Sequence, residues 1–228
     1  MANVVELKKV VKTYPGPVPT QVLFDIDLAF QEGTFNSLIG QSGSGKSTLL
    51  NIIGTLDRPI SGEVIINGHS TGGMGKDELA TLRNRTIGFV FQFHYLLPEF
   101  TAIENVLMPY RIAHGNVDKS AVKRAEELMD IVGLSQVKDN LSTKMSGGQQ
   151  QRTAIARALM NSPKVILADE PTGNLDSESS ANVYRLFRKI NAEMKTMFLI
   201  VTHDRRIAEQ TDRIVEIKDG RIFMDIMK

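Results

Sequence analysis

The chain of 228 residues contains no cysteine. A disulfide framework and thiolate metal sites are therefore excluded, and the composition agrees with a reducing cytosol. Charge of one sign is equally scarce: 27 basic residues face 26 acidic ones, for a formal net charge of +1. No global field recruits nucleic acid or anionic lipid, and local pairs such as Arg205-Arg206 read as solvated surface. Long apolar runs are missing too, since none approaches the ~20 residues of a spanning helix. The opening MANVVELKKVVKTY has no apolar signal-peptide core. Repeats, low-complexity tracts and linkers are also absent, so any subdivision lies within one domain. The expectation is a protein that is soluble by itself and long enough to bury a proper core.

What is present is organised by periodicity. Phe24, Ile26, Leu28 and Phe30 alternate with Asp25, Asp27 and Ala29, the period of a half-buried strand, where an antiparallel sheet is expected to begin. A second strand, Glu63 to Ile66, ends at Asn67-Gly68, a dipeptide suited to the positive φ angles of a tight turn. Phe35 to Ile39 runs into a Gly/Ser cluster, then Leu49, Leu50, Ile52 and Ile53, which Arg58-Pro59 is expected to terminate. From Phe93 to about Ser142 the pattern becomes mainly helical. Asp118 is placed to cap a helix whose Val122, Ala125, Leu128, Met129 and Val132 recur at helical spacing before Gly133 stops it. Val165 to Ala168 and Met197 to Val201 read as buried parallel strands, separated by a helix with Val183, Leu186, Phe187 and Ile190 on one face.

Gly40-Gln41-Ser42-Gly43-Ser44-Gly45-Lys46-Ser47 fits G-x-x-x-x-G-K-[ST], after a strand and opening a helix. Its glycines let successive N–H groups point at phosphate oxygens, and the following helix adds its positive end. Lys46 supplies full charge to the β and γ phosphates, and Ser47 a hard oxygen for Mg²⁺. Lys164 to Glu170 is an apolar strand ending in two carboxylates. Adjacent strand residues point to opposite sides, so Asp169 is the candidate for the metal and Glu170 for the attacking water; alone, the pair also fits a strand leaving into the Pro171-Gly173 turn. His203, just beyond another strand, is a candidate γ-phosphate contact, because ligands bind outside the carboxyl ends of such sheets. His69, His94 and His114 have no comparable context and receive no metal role.

Several of these motifs, in order, resemble the ABC ATPase family, over essentially the whole chain. Met145-Ser146-Gly147-Gly148-Gln149 is similar to the family signature, with Met where Leu is usual, a volume-preserving swap. Gln92 matches the glutamine loop, Gly173-Asn174-Leu175-Asp176 the D-loop, His203 the switch histidine, and Tyr14 the aromatic residue that stacks on adenine. The resemblance implies an α/β fold: a P-loop NTPase (RecA-like) core with an N-terminal antiparallel β subdomain over residues 1–92 and 156–228. An inserted α-helical subdomain at 93–155 would carry the signature. It implies ATP and Mg²⁺ as ligands, with Gly40 to Thr48 and Ser146 to Gln149 on nucleotide, Ser47, Gln92 and Asp169 at the metal, and Glu170, His203 and Gln92 in catalysis. It further implies a homodimer that closes on ATP. Ser146 with the Gly147-Gly148 backbone, at a helix start, would meet the γ phosphate of the partner's nucleotide. Arg152 and Arg157 are expected to buttress that helix.

Two stretches, Phe91 to Val106 and Pro171 to Ser177, are similar to the lipoprotein-release, macrolide-export and cell-division subgroup, and Phe93-His94-Tyr95 leans toward its lipoprotein-releasing members. In that subgroup the ATPase works at the cytoplasmic face of the inner membrane as a peripheral subunit, with separate transmembrane subunits docking near the glutamine loop. Phe93, Tyr95, Leu96, Leu97 and Phe100 either line that dock or belong to the core of the helical insertion. The alternative within the subgroup is macrolide-type export, or a cell-division ATPase acting on a membrane partner without transport. A module for DNA or ribosomes is disfavoured by the single phosphate loop, the lack of a heptad arm and the lack of basic excess, so no nucleic acid partner is expected.

Overall fold

The computed structural model describes residues 2–228. In chain order the elements are β1 (Asn3–Tyr14), β2 (Thr20–Gln31), β3 (Phe35–Ile39), α1 (Lys46–Ile53), β4 (Ser61–Ile66), β5 (His69–Ser70), α2 (Lys76–Thr86) and β6 (Ile87–Phe91). There follow α3 (Ala102–His114), α4 (Lys119–Ile131), α5 (Gly147–Leu159), β7 (Val165–Asp169), α6 (Ser177–Met194), β8 (Met197–Val201), α7 (Arg205–Ala208), β9 (Arg213–Lys218) and β10 (Arg221–Met227). They form two sheets: four strands in the order β2-β1-β4-β5 and six in the order β10-β9-β3-β8-β7-β6. The smaller is antiparallel throughout, and in the larger only β10 runs against its neighbour.

The central strands explain their own composition. In β8, Phe198 and Ile200 enter a core shared with Val106, Leu128, Ile155 and Phe187, from the long helices on one face. The intervening Met197, Leu199 and Val201 enter a second core, with Leu49, Ile52 and Ile53 of α1 and Leu7, Ile26 and Phe30 of the small sheet. Strand β7 divides its residues the same way. A strand buried on both faces needs an unbroken apolar run, which is what its sequence has.

Three expectations change. The small sheet does not begin at Phe24: β1, inside its order, precedes it. The period of β1 is hidden because the ladder to β2 slips between Asn3 and Val5 and again between Leu7 and Val10, where Lys9 takes φ 49, so the buried Val4, Val5, Leu7 and Val10 do not alternate. Helix α1 ends at Gly54, not at Arg58-Pro59, and the next residue, Thr55, turns left-handed at φ 55. A β-carbon on Gly54 would fall 2.6 Å from the Phe89 ring, so β6 fixes that end by close approach. On α4 the buried stripe starts with Ala121, while Val122 is 37% exposed.

Asp118 does cap α4: its Oδ1 accepts from the Ala121 N–H at 2.8 Å and the Ser120 hydroxyl, and its Oδ2 from the Tyr110 hydroxyl at 2.9 Å. These donors, the Ser120 hydroxyl foremost, pull its carboxyl down to about 2 from 3.8. A carboxyl depressed by folding adds stability above its unfolded value and loses it as pH falls through the folded one. Asp118→Ala is therefore expected to lower the urea midpoint at pH 7, with a gap to the unsubstituted chain that is constant down to about pH 4 and narrows toward pH 2. Equilibrium unfolding at stepped pH measures it; a gap that widens with acid would contradict the assignment.

Candidate active site

Strands β3, β8 and β7 are adjacent and parallel, so their carboxyl ends open at one edge of the sheet. From β3 the chain enters the Gly/Ser loop. Gly40 sits at φ 150, where a β-carbon would lie 2.2 Å from the Ile217 carbonyl, and Gly45 at φ 107, 2.9 Å from Leu23. Neither position accommodates a side chain, so the loop backbone stays bare where it wraps the start of α1. The Lys46 ammonium donates to the carbonyls of Gly40 at 2.9 Å and Gln41 at 2.8 Å. Ser44 is buried with its hydroxyl unpartnered.

From β7, Asp169 reaches the same edge and Glu170 follows. The Glu170 N–H donates to the Val201 carbonyl at 3.0 Å, and the residue takes φ 45, a left-handed geometry that costs a non-glycine residue about 1–3 kcal/mol. Its Oε1 is 2.9 Å from Nδ1 of His203, beyond β8. Burial raises the Asp169 carboxyl above the ordinary range; the Glu170 charge adds to this and the Lys46 ammonium opposes it. These groups line one cleft of about 650 Å³ with Gly40, Ser42, Gly43, Gly45, Ser47, Thr48, Gln92 and Gly173. Gln41 and Ser44 face the other side of the loop, toward Glu216 to Asp219. Val22 also lines the cleft, although nothing in its own local pattern marked it.

Gln92, just past β6, holds Asn174 in a reciprocal amide pair: Gln92 Nε2 donates to Asn174 Oδ1, and Asn174 Nδ2 to the Gln92 carbonyl, each at 3.2 Å. Downstream, the Arg157 guanidinium on α5 donates to the carbonyls of His94 at 2.7 Å and Tyr95 at 2.6 Å. Arg157 thus buttresses the segment after the glutamine rather than its own helix. Burial, then its positive charge, lowers the His94 imidazole. Tyr95, Leu97 and Arg157 border an apolar groove of about 650 Å³ closed by Phe89, Met108 and Ile112. Of the aromatic cluster, Phe93 and Tyr95 are 62% and 65% exposed, and Leu96 and Phe100 are half-buried.

Ser146 to Gln149 is not among the residues lining the phosphate cleft. Ser146 caps α5 in a reciprocal box: its Oγ accepts from the Gln149 N–H, and Gln149 Oε1 from the Ser146 N–H. One turn on, fully buried Gln151 donates to the Pro171 carbonyl at 2.6 Å, tying this helix to the turn after Glu170. Only the fold brings that pair together. Tyr14 ends β1 outside the cleft lining, with its hydroxyl donating to Asp57 at 2.8 Å.

A family model described as ABC transporter matches residues 23–173. The lipoprotein-releasing system ATP-binding protein LolD 1 of Rhodopseudomonas palustris is 54% identical over 97% of this chain and 99% of its own length. The macrolide export ATP-binding/permease protein MacB of Syntrophobacter fumaroxidans is 48% identical over 96% of this chain but only 31% of its own length. Among solved structures, the ATP-binding cassette MJ0796, a dimer in a post-hydrolysis state bound to ADP and Pi, superposes with a TM-score of 0.89 at 43% identity over 98% of both chains.

Proposed function

From the premise that the chain belongs to the ABC transporter family, as an ATP-hydrolysing subunit, we propose that it powers the release of lipoproteins from the inner membrane through separate transmembrane partners. The observation that carries the site assignment is the convergence of Lys46, Asp169, Glu170 and His203 on one cleft at the carboxyl ends of three adjacent strands.

In this reading the loop from Gly40 to Thr48 binds the triphosphate through its N–H groups and the start of α1, with the Lys46 charge on the β and γ phosphates. Tyr14 stacks on the base. Ser47, Gln92 and Asp169 bring only oxygen donors of the hard kind to the cleft, the set that suits Mg²⁺, and would hold it. When bound, that ion neutralises charge on the phosphate oxygens. Glu170 accepts a proton from the attacking water, and His203, within hydrogen-bond distance of that carboxylate, orients it and meets the γ phosphate.

Ser146 to Gln149 works on the nucleotide of a second copy, which agrees with its place outside this copy's own cleft. The exposed start of α5 offers N–H groups to an anion. The apolar groove beside Tyr95 receives a short element of the membrane partner, with Phe93 at its rim. The working position is the cytoplasmic face of the inner membrane, peripherally bound; no helix among the described residues is long and apolar enough to cross it.

The test is affinity purification of Glu170→Gln from solubilised membranes with Mg-ATP. Recovery of paired lipoprotein-releasing membrane subunits is expected. A macrolide-type permease, the kind of partner suggested by the name of the 48% identical relative, or a cell-division subunit would leave the ATPase chemistry standing and replace the substrate.

A further inference from the structure

Lys12 is only 7% exposed, an unusual place for an ammonium group. Its Nζ donates to Asp57 Oδ1 at 2.5 Å and to the Arg58 carbonyl at 2.7 Å. Burying an ammonium group is costly even beside a carboxylate, here one that is only partly buried, and apolar residues of the same volume often match such a pair in stability. Both members converge on Tyr14. Asp57 Oδ2 accepts from the Tyr14 hydroxyl at 2.8 Å, and Lys12 Nζ lies over the Tyr14 ring, 4.8 Å from its centroid. The carboxylate itself is held: burial would raise Asp57, but the Lys12 ammonium, the Tyr14 hydroxyl and the Arg58 N–H together keep it below the ordinary range.

The ring is thus fixed at its hydroxyl and at one face, while 37% of the residue remains exposed. Its strand partner is Thr20, two residues from Val22, which lines the phosphate cleft. We propose that the Lys12–Asp57 ion pair is a positioning device that orients the Tyr14 ring toward a nucleotide base, leaving one face free for stacking. The step rests on the reading of Tyr14 above. In this role Lys12 and Asp57 act through the ring and need not touch the nucleotide. An untethered tyrosine at a strand end would lose rotamer freedom each time it met a base; a tethered one has lost it on folding, so more of the stacking energy appears as affinity.

The probes are ADP, which carries the base without being hydrolysed, and pyrophosphate, which lacks it. Calorimetric titration of Lys12→Met and Asp57→Ala is expected to show ADP bound roughly three- to tenfold more weakly, the scale of one aromatic stacking contact, with pyrophosphate unchanged. In a Tyr14→Ala background neither change is expected to weaken ADP further. Asp57→Ala strands a buried ammonium; should it not fold, Lys12→Met, which removes the charge and keeps the stem, carries the test alone. Equal losses for ADP and pyrophosphate, or losses that add to Tyr14→Ala, would mean the pair merely supports the fold and would overturn the proposal. So would full ADP affinity in Lys12→Met while Tyr14→Ala weakens it. If Tyr14→Ala itself leaves ADP binding intact, the stacking assignment of Tyr14 fails first and the positioning role falls with it.

Discussion

Glu170→Gln is expected to bind ATP with near-normal affinity and to hydrolyse it about 10²- to 10⁴-fold more slowly, the range spanned by a positioned general base. The amide has nearly the shape of the carboxylate and can still meet His203 Nδ1, 2.9 Å from the present Oε1, but cannot accept a proton from water. The left-handed turn at φ 45 is a backbone property and is carried by either side chain. Removing the charge also removes one of the two influences that raise Asp169, whose carboxyl should move back toward the ordinary range. With binding intact and hydrolysis blocked, the ATP-closed dimer should accumulate, visible by size-exclusion chromatography with Mg-ATP. An undiminished rate, measured as phosphate release, would take Glu170 out of its assigned role.

Lys46→Ala should have the largest effect on binding. Charge-assisted hydrogen bonds contribute about 1.5–3 kcal/mol each. Losing contacts to both the β and γ phosphates therefore predicts at least a 10²-fold weaker affinity for ATP, read by calorimetry or a fluorescent analogue. The fold should survive, because the carbonyls of Gly40 and Gln41 that the ammonium now holds belong to a loop at the molecular edge rather than to either core. Asp169 would lose the one opposing influence, and its carboxyl would move further upward. Normal nucleotide affinity would refute the assignment of the loop.

What could be read from the sequence divides by range of interaction. The strand from Phe35 to Ile39, the loop and the helix opening at Lys46 are local in origin, and β3 and α1 begin where expected. Asp118 and Gly133 bracket α4 for the same reason. Helix α1 stops short of Arg58-Pro59, at Gly54, where the Phe89 ring of β6 leaves no room for a side chain, a contact that local sequence does not reveal. Strand β1 was hidden by a ladder slip, and α2 by its polar surface, with only Leu79 and Thr86 buried. In the site, the phosphate loop carries its own signal, and the carboxylate pair becomes legible only beside it. Three pairings carry none: Gln92 with Asn174, Gln151 with Pro171, and Lys12 with Asp57, the last separated by 45 residues.

Ser146 opens α5, and Arg157 stands near its other end, about 16 Å away at 1.5 Å per residue. Between them the helix is pinned by Gln151 and packed by Ala154, Ile155 and Ala156, so it cannot bend freely. Through Arg157 the carbonyls of His94 and Tyr95 are tied to the same stiff helix that Ser146 opens, so the segment after Gln92 and the cap share one rigid support.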